Sequence, residues 1–149
     1  MCNVSNKKTS VDYIIYTDGA FKPSTTQGGI GLAWLKNGVL VKTYSKGYKG
    51  VTNNKMELLA VIYALASIKK PIHSLQIVTD SMYVVGCATK GWKRKKNINL
   101  WLKYDKVFTK AQALIEIPIM YKHVRGHRDN KYNNLCDELA DNASKEFLN

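Results

Sequence analysis

The stretch IIYTDGAF, residues 14–21, leads four residues of strand-forming sequence directly into an acidic side chain, Asp18. β-Branched and aromatic residues of this kind are typical of a buried strand. Asp-Gly is also a common turn dipeptide, so the simplest interpretation is that a strand ends here and a turn begins. A second stretch, IVTDSMYV at residues 77–84, repeats the arrangement with Asp80. The repetition predicts two strands whose carboxyl ends each present an acid.

The sequence around the first stretch predicts three antiparallel strands. VDYIIYT (11–17) is the first, and GGIGLAWLK and VLVKTYSKG flank Asn37-Gly38. Asn-Gly between two apolar runs is the strongest short-range indication of a β-hairpin.

From Asn54 the apolar residues recur at intervals of three and four, which predicts one face of a helix that ends near Pro71. The residues of this face are Met56, Leu59, Ala60, Tyr63 and Ala66. SLQIVT (74–79) then predicts a strand, and a strand, helix, strand order usually makes a right-handed crossover to a parallel neighbour.

The remainder of the chain continues the alternation of helices and strands without a repeat or a linker, and this predicts one α/β domain with a mixed sheet. The predicted parts are a short helix after Asp80, a basic segment KGWKRKKN (90–97), a helix over 98–114, a strand over 117–124 and an amphipathic helix over 133–148.

Length and composition bound the class of protein. The 149 residues fit one domain over 11–149 after a polar, flexible leader over 1–10. The three cysteines form no C-x-x-C pair, which favours a reduced, cytoplasmic protein over a disulfide scaffold. No apolar run approaches a membrane span, so we expect no membrane segment. A net charge of +12 favours a polyanionic partner, either nucleic acid or an anionic membrane surface. Nothing in the sequence requires an oligomer, and we expect a monomer.

Asp18 and Asp80 would meet if their strands are parallel neighbours, because open α/β sheets place their binding crevices at the carboxyl ends of strands. Two carboxylates ~4 Å apart repel by about 4 kcal/mol at an effective dielectric near 20. Such a pair needs a shared proton or a cation. Glu57 and Asp137 are further candidates, although Asn54 and Glu57 also fit a helix capping box and Asp137 also fits a solvated helix face.

Four blocks occur in one order and with one set of spacings that resemble the type 1 ribonuclease H family: YTDGA, TNNKMELLA, TDSMYV and GHRDNKYNNLCDELA. The resemblance extends from Val11 to about Ala143. It implies the ribonuclease H-like fold, a five-stranded mixed sheet flanked by helices. It also implies an endonuclease that hydrolyses the RNA strand of RNA/DNA hybrids and leaves 5′-phosphate and 3′-hydroxyl ends.

By that resemblance four carboxylates hold two Mg²⁺ ions, with Mn²⁺ as a possible substitute; these are Asp18, Glu57, Asp80 and Asp137, with Asp18 as the bridging ligand. Oxygen ligands of this kind suit both ions. His127 matches a mobile histidine that assists proton transfer and product release. A zinc pair of His123 and His127 is an alternative, but Gly126 between them argues against a shared helical face.

The resemblance also implies a set of substrate contacts. Thr52 matches a residue of a pocket for a DNA-strand phosphate, and Asn53 and Asn54 match residues that approach both strands in the minor groove. The basic segment matches a reduced form of a basic protrusion that contacts the hybrid, through Lys90, Lys93, Arg94, Lys95 and Lys96. Two residues depart from the family pattern: Met82 replaces a common glutamine, and Ser24 replaces a common asparagine.

Two rival functions remain on the same fold. One is a nucleic-acid-binding domain without catalysis, which the presence of all four acids disfavours. The other is a metal nuclease that acts on DNA, since one fold hosts several activities. Thr52, Asn53 and Asn54 beside Glu57 favour the hybrid.

Overall fold

The computed structural model describes residues 11–125 and 130–146, and the strands and helices follow the predicted order. The strands are β1 (Tyr13–Lys22), β2 (Gln27–Lys36), β3 (Val39–Tyr48), β4 (Leu75–Thr79) and β5 (Met120–His123). The helices are α1 (Asn53–Ala66), α2 (Met82–Thr89), α3 (Ile98–Ala113) and α4 (Lys131–Ser144).

The strands form one five-stranded sheet in the order β3-β2-β1-β4-β5. β1, β2 and β3 pair antiparallel, whereas β4 is parallel to both β1 and β5. Asn37 and Gly38 join β2 to β3 with positive φ angles of 50° and 82°, as a two-residue type I′ turn requires. The predicted mixed sheet and its hairpin are confirmed.

Helices α1 and α4 cover opposite faces of this sheet. Successive residues of a strand point to opposite faces, and a Cβ added to Gly28 would lie 2.8 Å from Met56 of α1. A Cβ added to the next residue, Gly29, would lie 2.2 Å from the Ala140 carbonyl oxygen of α4. The fully buried core includes Ile15 and Leu32 of the sheet.

The prediction that a strand ends at Asp18 is wrong. The parallel ladder with β4 does stop at Tyr16 and Val78, but β1 continues its antiparallel ladder with β2 to Lys22. Asp18 is therefore an interior strand residue that pairs with Gly31. The cause is the long β1–β2 hairpin, which extends beyond the shorter β4.

Other boundaries shift because local hydrogen bonds replace the predicted ones. The capping box of Asn54 and Glu57 is wrong: Thr52 is the N-cap of α1 and its hydroxyl accepts from the Lys55 N–H. β5 is shorter than predicted because the Ile119 N–H donates to the Gln112 side chain instead of to β4. α4 begins at Lys131, where Asn130 caps the N–H groups of the first turn.

The helices described in residues 11–125 and 130–146 all lack the combination of length and hydropathy that a bilayer span requires.

Candidate active site

Three carboxylates from different elements meet where β4 ends beside β1. Asp18 lies on β1, Glu57 in α1, and Asp80 directly after β4. An oxygen of each lies within 4.8 Å of an oxygen of the other two. Asp18 and Glu57 are only 3% and 6% exposed, and Asp80 is half-buried. The structure thus brings together three acids that are distant in sequence.

The N–H of Gly19 holds two of these carboxylates. It donates to Asp18 Oδ1 at 2.9 Å and to Glu57 Oε1 at 3.0 Å. A Cβ at this position would lie 2.7 Å from the Glu57 backbone nitrogen. A side chain here would therefore push α1 and Glu57 away from Asp18. Gly19 of this Asp-Gly pair therefore allows β1 and α1 to approach each other closely, and the pair does not form a turn.

The fourth predicted carboxylate, Asp137, is exposed on α4, on the opposite face of the sheet from α1, and lies outside the group of three. It lies close enough to Asp18 for its charge and a side-chain hydrogen bond to affect that acid. Gly31, the strand partner of Asp18, faces the same helix, and a Cβ on it would lie 2.2 Å from the Cys136 carbonyl oxygen. The Cys136 thiol donates to the Tyr16 carbonyl at 3.3 Å. These contacts set the distance between Asp137 and Asp18.

Burial and the charges of neighbouring acids raise the pKa values of two members of this group, Asp18 and Glu57. Burial, followed by the charges of Asp80 and Asp137, raises the pKa of Asp18 from 3.8 to about 8. Burial and the charge of Asp18 also raise the pKa of Glu57 well above its ordinary value. A charged form of this cluster requires a compensating positive charge.

The donor set fits a hard divalent cation. Oδ1 of Asp80 is buried and has no hydrogen-bond partner among the described residues, which is unusual for a carboxylate oxygen. Every side chain of the cluster offers oxygen, the ligand that Mg²⁺ and Mn²⁺ prefer. Asp18, Glu57, Asp80 and, through its contact with Asp18, Asp137 are the residues that could hold such ions.

The raised pKa of Asp18 leads to a prediction about cation binding. Below pH 8 a cation must displace the proton that Asp18 holds, so the apparent Mg²⁺ affinity should rise with pH and level off above about pH 8. The expected slope is up to about tenfold per pH unit for each proton displaced. Calorimetric titration in two buffers of different ionisation enthalpy measures both the affinity and the protons released. A Mg²⁺ affinity that does not change between about pH 6 and 8 would contradict this.

The residues predicted to contact a DNA-strand phosphate and the minor groove lie at the start of α1. Thr52, Asn53 and Asn54 are exposed at the start of α1, the helix that carries Glu57. The Thr52 hydroxyl already accepts the capping hydrogen bond from Lys55, so a phosphate would have to share this hydroxyl. The phosphate pocket and the groove contacts remain predictions.

The five cations of the basic segment do not share one environment. Lys90, Lys93, Lys95 and Lys96 are exposed, whereas Arg94 is half-buried. The Arg94 guanidinium pairs with both Asp105 oxygens at 2.9 Å. Arg94 thus pairs with an acid of the protein itself, whereas the four lysines are exposed.

The remaining sequence candidates divide between described and undescribed residues. His127, with its predicted catalytic role, lies outside the described residues. His123, its partner in the zinc alternative, has its Nε2 3.2 Å from the Asp80 carbonyl oxygen, to which the ring nitrogen can donate. Met82 and Ser24, the two departures from the family pattern, are exposed.

Sequence reasoning misses the glycines that set this geometry. It treats Gly19 as a turn residue and gives no role to Gly31. The signal is present in GGIG (28–31), because several glycines within one strand indicate a close backbone approach. Sequence reasoning also misses the ion pair between Arg94 and Asp105, because no local pattern connects a residue on a loop with a residue on a later helix.

Comparison with known sequences finds one family over nearly the whole chain. Residues 10–145 match the family model described as RNase H. The chain is 40% identical over 134 residues to a ribonuclease H of Thermoanaerobacter sp. (strain X514), and the match covers 85% of each protein. It is 37% identical over 142 residues to a ribonuclease H of Caldanaerobacter subterraneus subsp. tengcongensis, and this match covers 90% of this chain and 92% of the relative.

Solved structures show the same fold at lower identity. LC11-RNase H1, crystallised in complex with RNA/DNA hybrid, aligns with a TM-score of 0.73 at 24% identity, over 92% of this chain and 99% of that one. RNase H1 of Halobacterium salinarum aligns with a TM-score of 0.70 at 22% identity, over 88% and 96% of the two chains.

Proposed function

Because the chain belongs to the ribonuclease H family, we propose that it is an endonuclease that hydrolyses the RNA strand of RNA/DNA hybrids with two divalent cations, Mg²⁺ or Mn²⁺. The observation that supports this proposal best is the convergence of Asp18, Glu57 and Asp80 within 4.8 Å. Two of these acids, Asp18 and Glu57, are buried with raised pKa values, and ionised carboxylates in such a place need a compensating positive charge.

Four side chains would hold the ions: Asp18 from the centre of the sheet, Glu57 from one face, Asp137 from the other, and Asp80 from the end of β4. Two bound divalent ions would supply an activated water on one side of the phosphodiester and charge stabilisation for the leaving 3′ oxygen on the other. The P–O3′ bond breaks as the bond from water to phosphorus forms, which leaves a 5′-phosphate and a 3′-hydroxyl. We assign His127 to proton transfer, as the family resemblance implies.

Selection of the hybrid would come from the start of α1. RNA differs from DNA at the 2′-hydroxyl of every nucleotide, which lies in the wide, shallow minor groove. Asn53 and Asn54 are exposed one turn before Glu57. In this proposal their amides would contact groove edges while a phosphate lies at the carboxylates. Thr52 and the exposed lysines of the basic segment would contact the backbones.

The test is a substrate panel. End-labelled RNA/DNA hybrid, single-stranded RNA, duplex RNA and duplex DNA of one sequence are incubated with Mg²⁺, with Mn²⁺ and with EDTA. We expect cleavage of the RNA strand of the hybrid only, with no cleavage in EDTA. An Asp80→Asn variant, which removes the charge at nearly constant volume, should leave all four substrates intact.

The panel also decides between the rivals. Cleavage of duplex DNA as fast as hybrid would support the DNA nuclease and reject the proposed substrate. Hybrid binding without cleavage in either metal would support the non-catalytic domain.

We further propose that the protein acts as a monomer in the cytoplasm. Buried Cys87 and Cys136 are free thiols, which suits a reducing compartment. Sedimentation equilibrium with and without hybrid would test the monomer.

A further inference from the structure

The basic segment, residues 90–97, is fixed to the protein body at several points instead of being a solvated loop. The N–H of Trp92 donates to the Gly86 carbonyl at 3.2 Å. The Trp92 ring lies so close over Gly86 that an added Cβ would be 2.1 Å from it. At the other end, the Asn97 amide donates to the Tyr83 hydroxyl at 3.1 Å. The segment therefore has a defined path from α2 to α3.

Arg94 makes the central attachment. Its guanidinium donates to both carboxylate oxygens of Asp105 at 2.9 Å and stacks over the Trp101 ring with 4.3 Å between Cζ and the ring centroid. Its Nε donates to the Cys87 carbonyl at 3.4 Å. Both hydrogen bonds to Asp105 come from Nη1, which leaves the planar guanidinium free to lie over the aromatic ring and Nε free to donate elsewhere. Arg94 thus connects the segment to α2 and α3.

The four lysines of the segment differ from Arg94 in both exposure and chemistry. All four are exposed, and an ammonium on a flexible stem binds phosphate as a point charge. Because Asp105 neutralises Arg94, the arginine adds little to the positive potential that attracts a nucleic acid. Any contribution of Arg94 to hybrid binding must therefore come from the conformation in which it holds the basic segment.

We propose that Arg94 and Asp105 are positioning residues that hold the basic segment in one conformation, so that its exposed lysines form a preorganised contact surface for the backbone of the hybrid. This rests on the proposed function, since the hybrid is the ligand. A contact surface that is already ordered loses less conformational entropy on binding than a mobile one.

Asp105→Asn tests this proposal because two explanations predict opposite changes in the affinity for the hybrid. If electrostatic attraction alone matters, removal of one negative charge and release of Arg94 should strengthen hybrid binding. If the pair positions the segment, binding should weaken by about three- to tenfold, the size expected for one or two side chains that must be ordered on binding. Binding is measured by fluorescence anisotropy of a labelled hybrid in EDTA, where no cleavage occurs.

Three further variants make the result specific. Glu116→Gln removes an exposed acid that pairs with His73 near the start of β4, and should leave affinity unchanged or slightly higher. Asp105→Glu keeps the carboxylate and should retain most of the affinity. Lys95→Ser with Lys96→Ser should flatten the slope of log affinity against log salt by up to about 0.9 for each phosphate that the variant no longer neutralises, whereas Asp105→Asn should keep that slope.

Limited digestion with trypsin, with fragments identified by mass spectrometry, tests the segment without nucleic acid. Cleavage after Lys93, Arg94, Lys95 and Lys96 should be faster in Asp105→Asn than in the unchanged protein. Tighter hybrid binding by Asp105→Asn, an unaltered digestion rate, or an unaltered salt slope in the lysine variant would each overturn the proposal. If the protein without any substitution neither binds nor cuts the hybrid, the proposed function is wrong, and this inference fails with it.

Discussion

Asp18→Asn is expected to abolish hybrid cleavage and to stabilise the protein. Loss of the central carboxylate removes a ligand for the ions and should reduce the cleavage rate at least about 1000-fold, or about 4 kcal/mol of transition-state stabilisation. In EDTA the same variant should unfold at a higher temperature, by about 3 °C for a gain of about 1 kcal/mol.

The stability gain follows from the direction of the pKa shift. The pKa of Asp18 is raised from 3.8 to about 8 in the folded protein, so the folded state holds the proton more tightly than the unfolded state. The favourable contribution of that proton is complete below about pH 4 and is lost as the pH rises to about 8. Asparagine has no proton to lose, so the gain should grow with pH across this window.

Asp141→Asn is the matched control for this variant. Asp141 lies on α4, like Asp137, and hydrogen bonds from its partners Lys22 and Lys145 lower its pKa. Removal of this carboxylate should leave cleavage within about threefold and should lower stability by no more than about 1 kcal/mol. Cleavage by Asp18→Asn within about tenfold of the unchanged protein would reject the proposed role of Asp18, and a lower unfolding temperature in EDTA would reject its raised pKa.

Gly31→Ala is expected to reduce cleavage by about 10- to 100-fold, although Gly31 carries no chemical group. Its added Cβ would lie 2.2 Å from the Cys136 carbonyl oxygen and 2.9 Å from the Ala140 nitrogen. Both atoms are backbone, so α4 must move outward and carry Asp137 with it. A displacement near 1 Å costs about 100-fold in a positioned site, and overpacking costs about 1–3 kcal/mol of stability.

Gly47→Ala separates the loss of position from the loss of stability. A Cβ on Gly47 would lie 2.2 Å from the Ala143 carbonyl oxygen of the same helix, nearly two turns beyond Asp137. Both variants should therefore lose similar stability in urea, while Gly31→Ala should lose more cleavage and need more Mg²⁺ for half-maximal rate. Equal losses of cleavage in the two variants would show that helix displacement near Asp137 has no particular effect.

The features that sequence predicts well depend on local patterns. Asn37-Gly38 specifies a hairpin because few residue pairs tolerate two positive φ angles. The period of apolar residues from Met56 onward predicts the helix correctly but not its buried face: Leu59, Tyr63 and Ala66 are only half-buried. The helix buries a wider set that includes Leu58, Val61 and Leu65. The acids stand out because Asp18 and Asp80 each follow a strand-forming run and because all four lie within blocks that resemble one family.

The features that sequence misses depend on contacts between distant segments. Asp18 lies inside β1 because β2 continues to pair with β1 beyond the end of β4, and no residue near Asp18 indicates that. Thr52 caps α1 in place of Asn54 because the chain enters the helix from Val51, which is buried against the sheet. The partner of Arg94 is eleven residues away on another element.

The position of α4 has a consequence for the order in which the protein forms. β1, β2, β3 and α1 lie within residues 13–66, and the hydrogen bond from Gly19 to Glu57 that joins β1 to α1 spans 38 residues. Asp137 is 119 residues from Asp18, and contacts across such separations form slowly because a long loop must close first. During synthesis on the ribosome Asp18, Glu57 and Asp80 therefore emerge before the fourth carboxylate, Asp137. We expect the chain to be unable to cut until α4 packs on the sheet, so that the last step of folding and the gain of activity coincide.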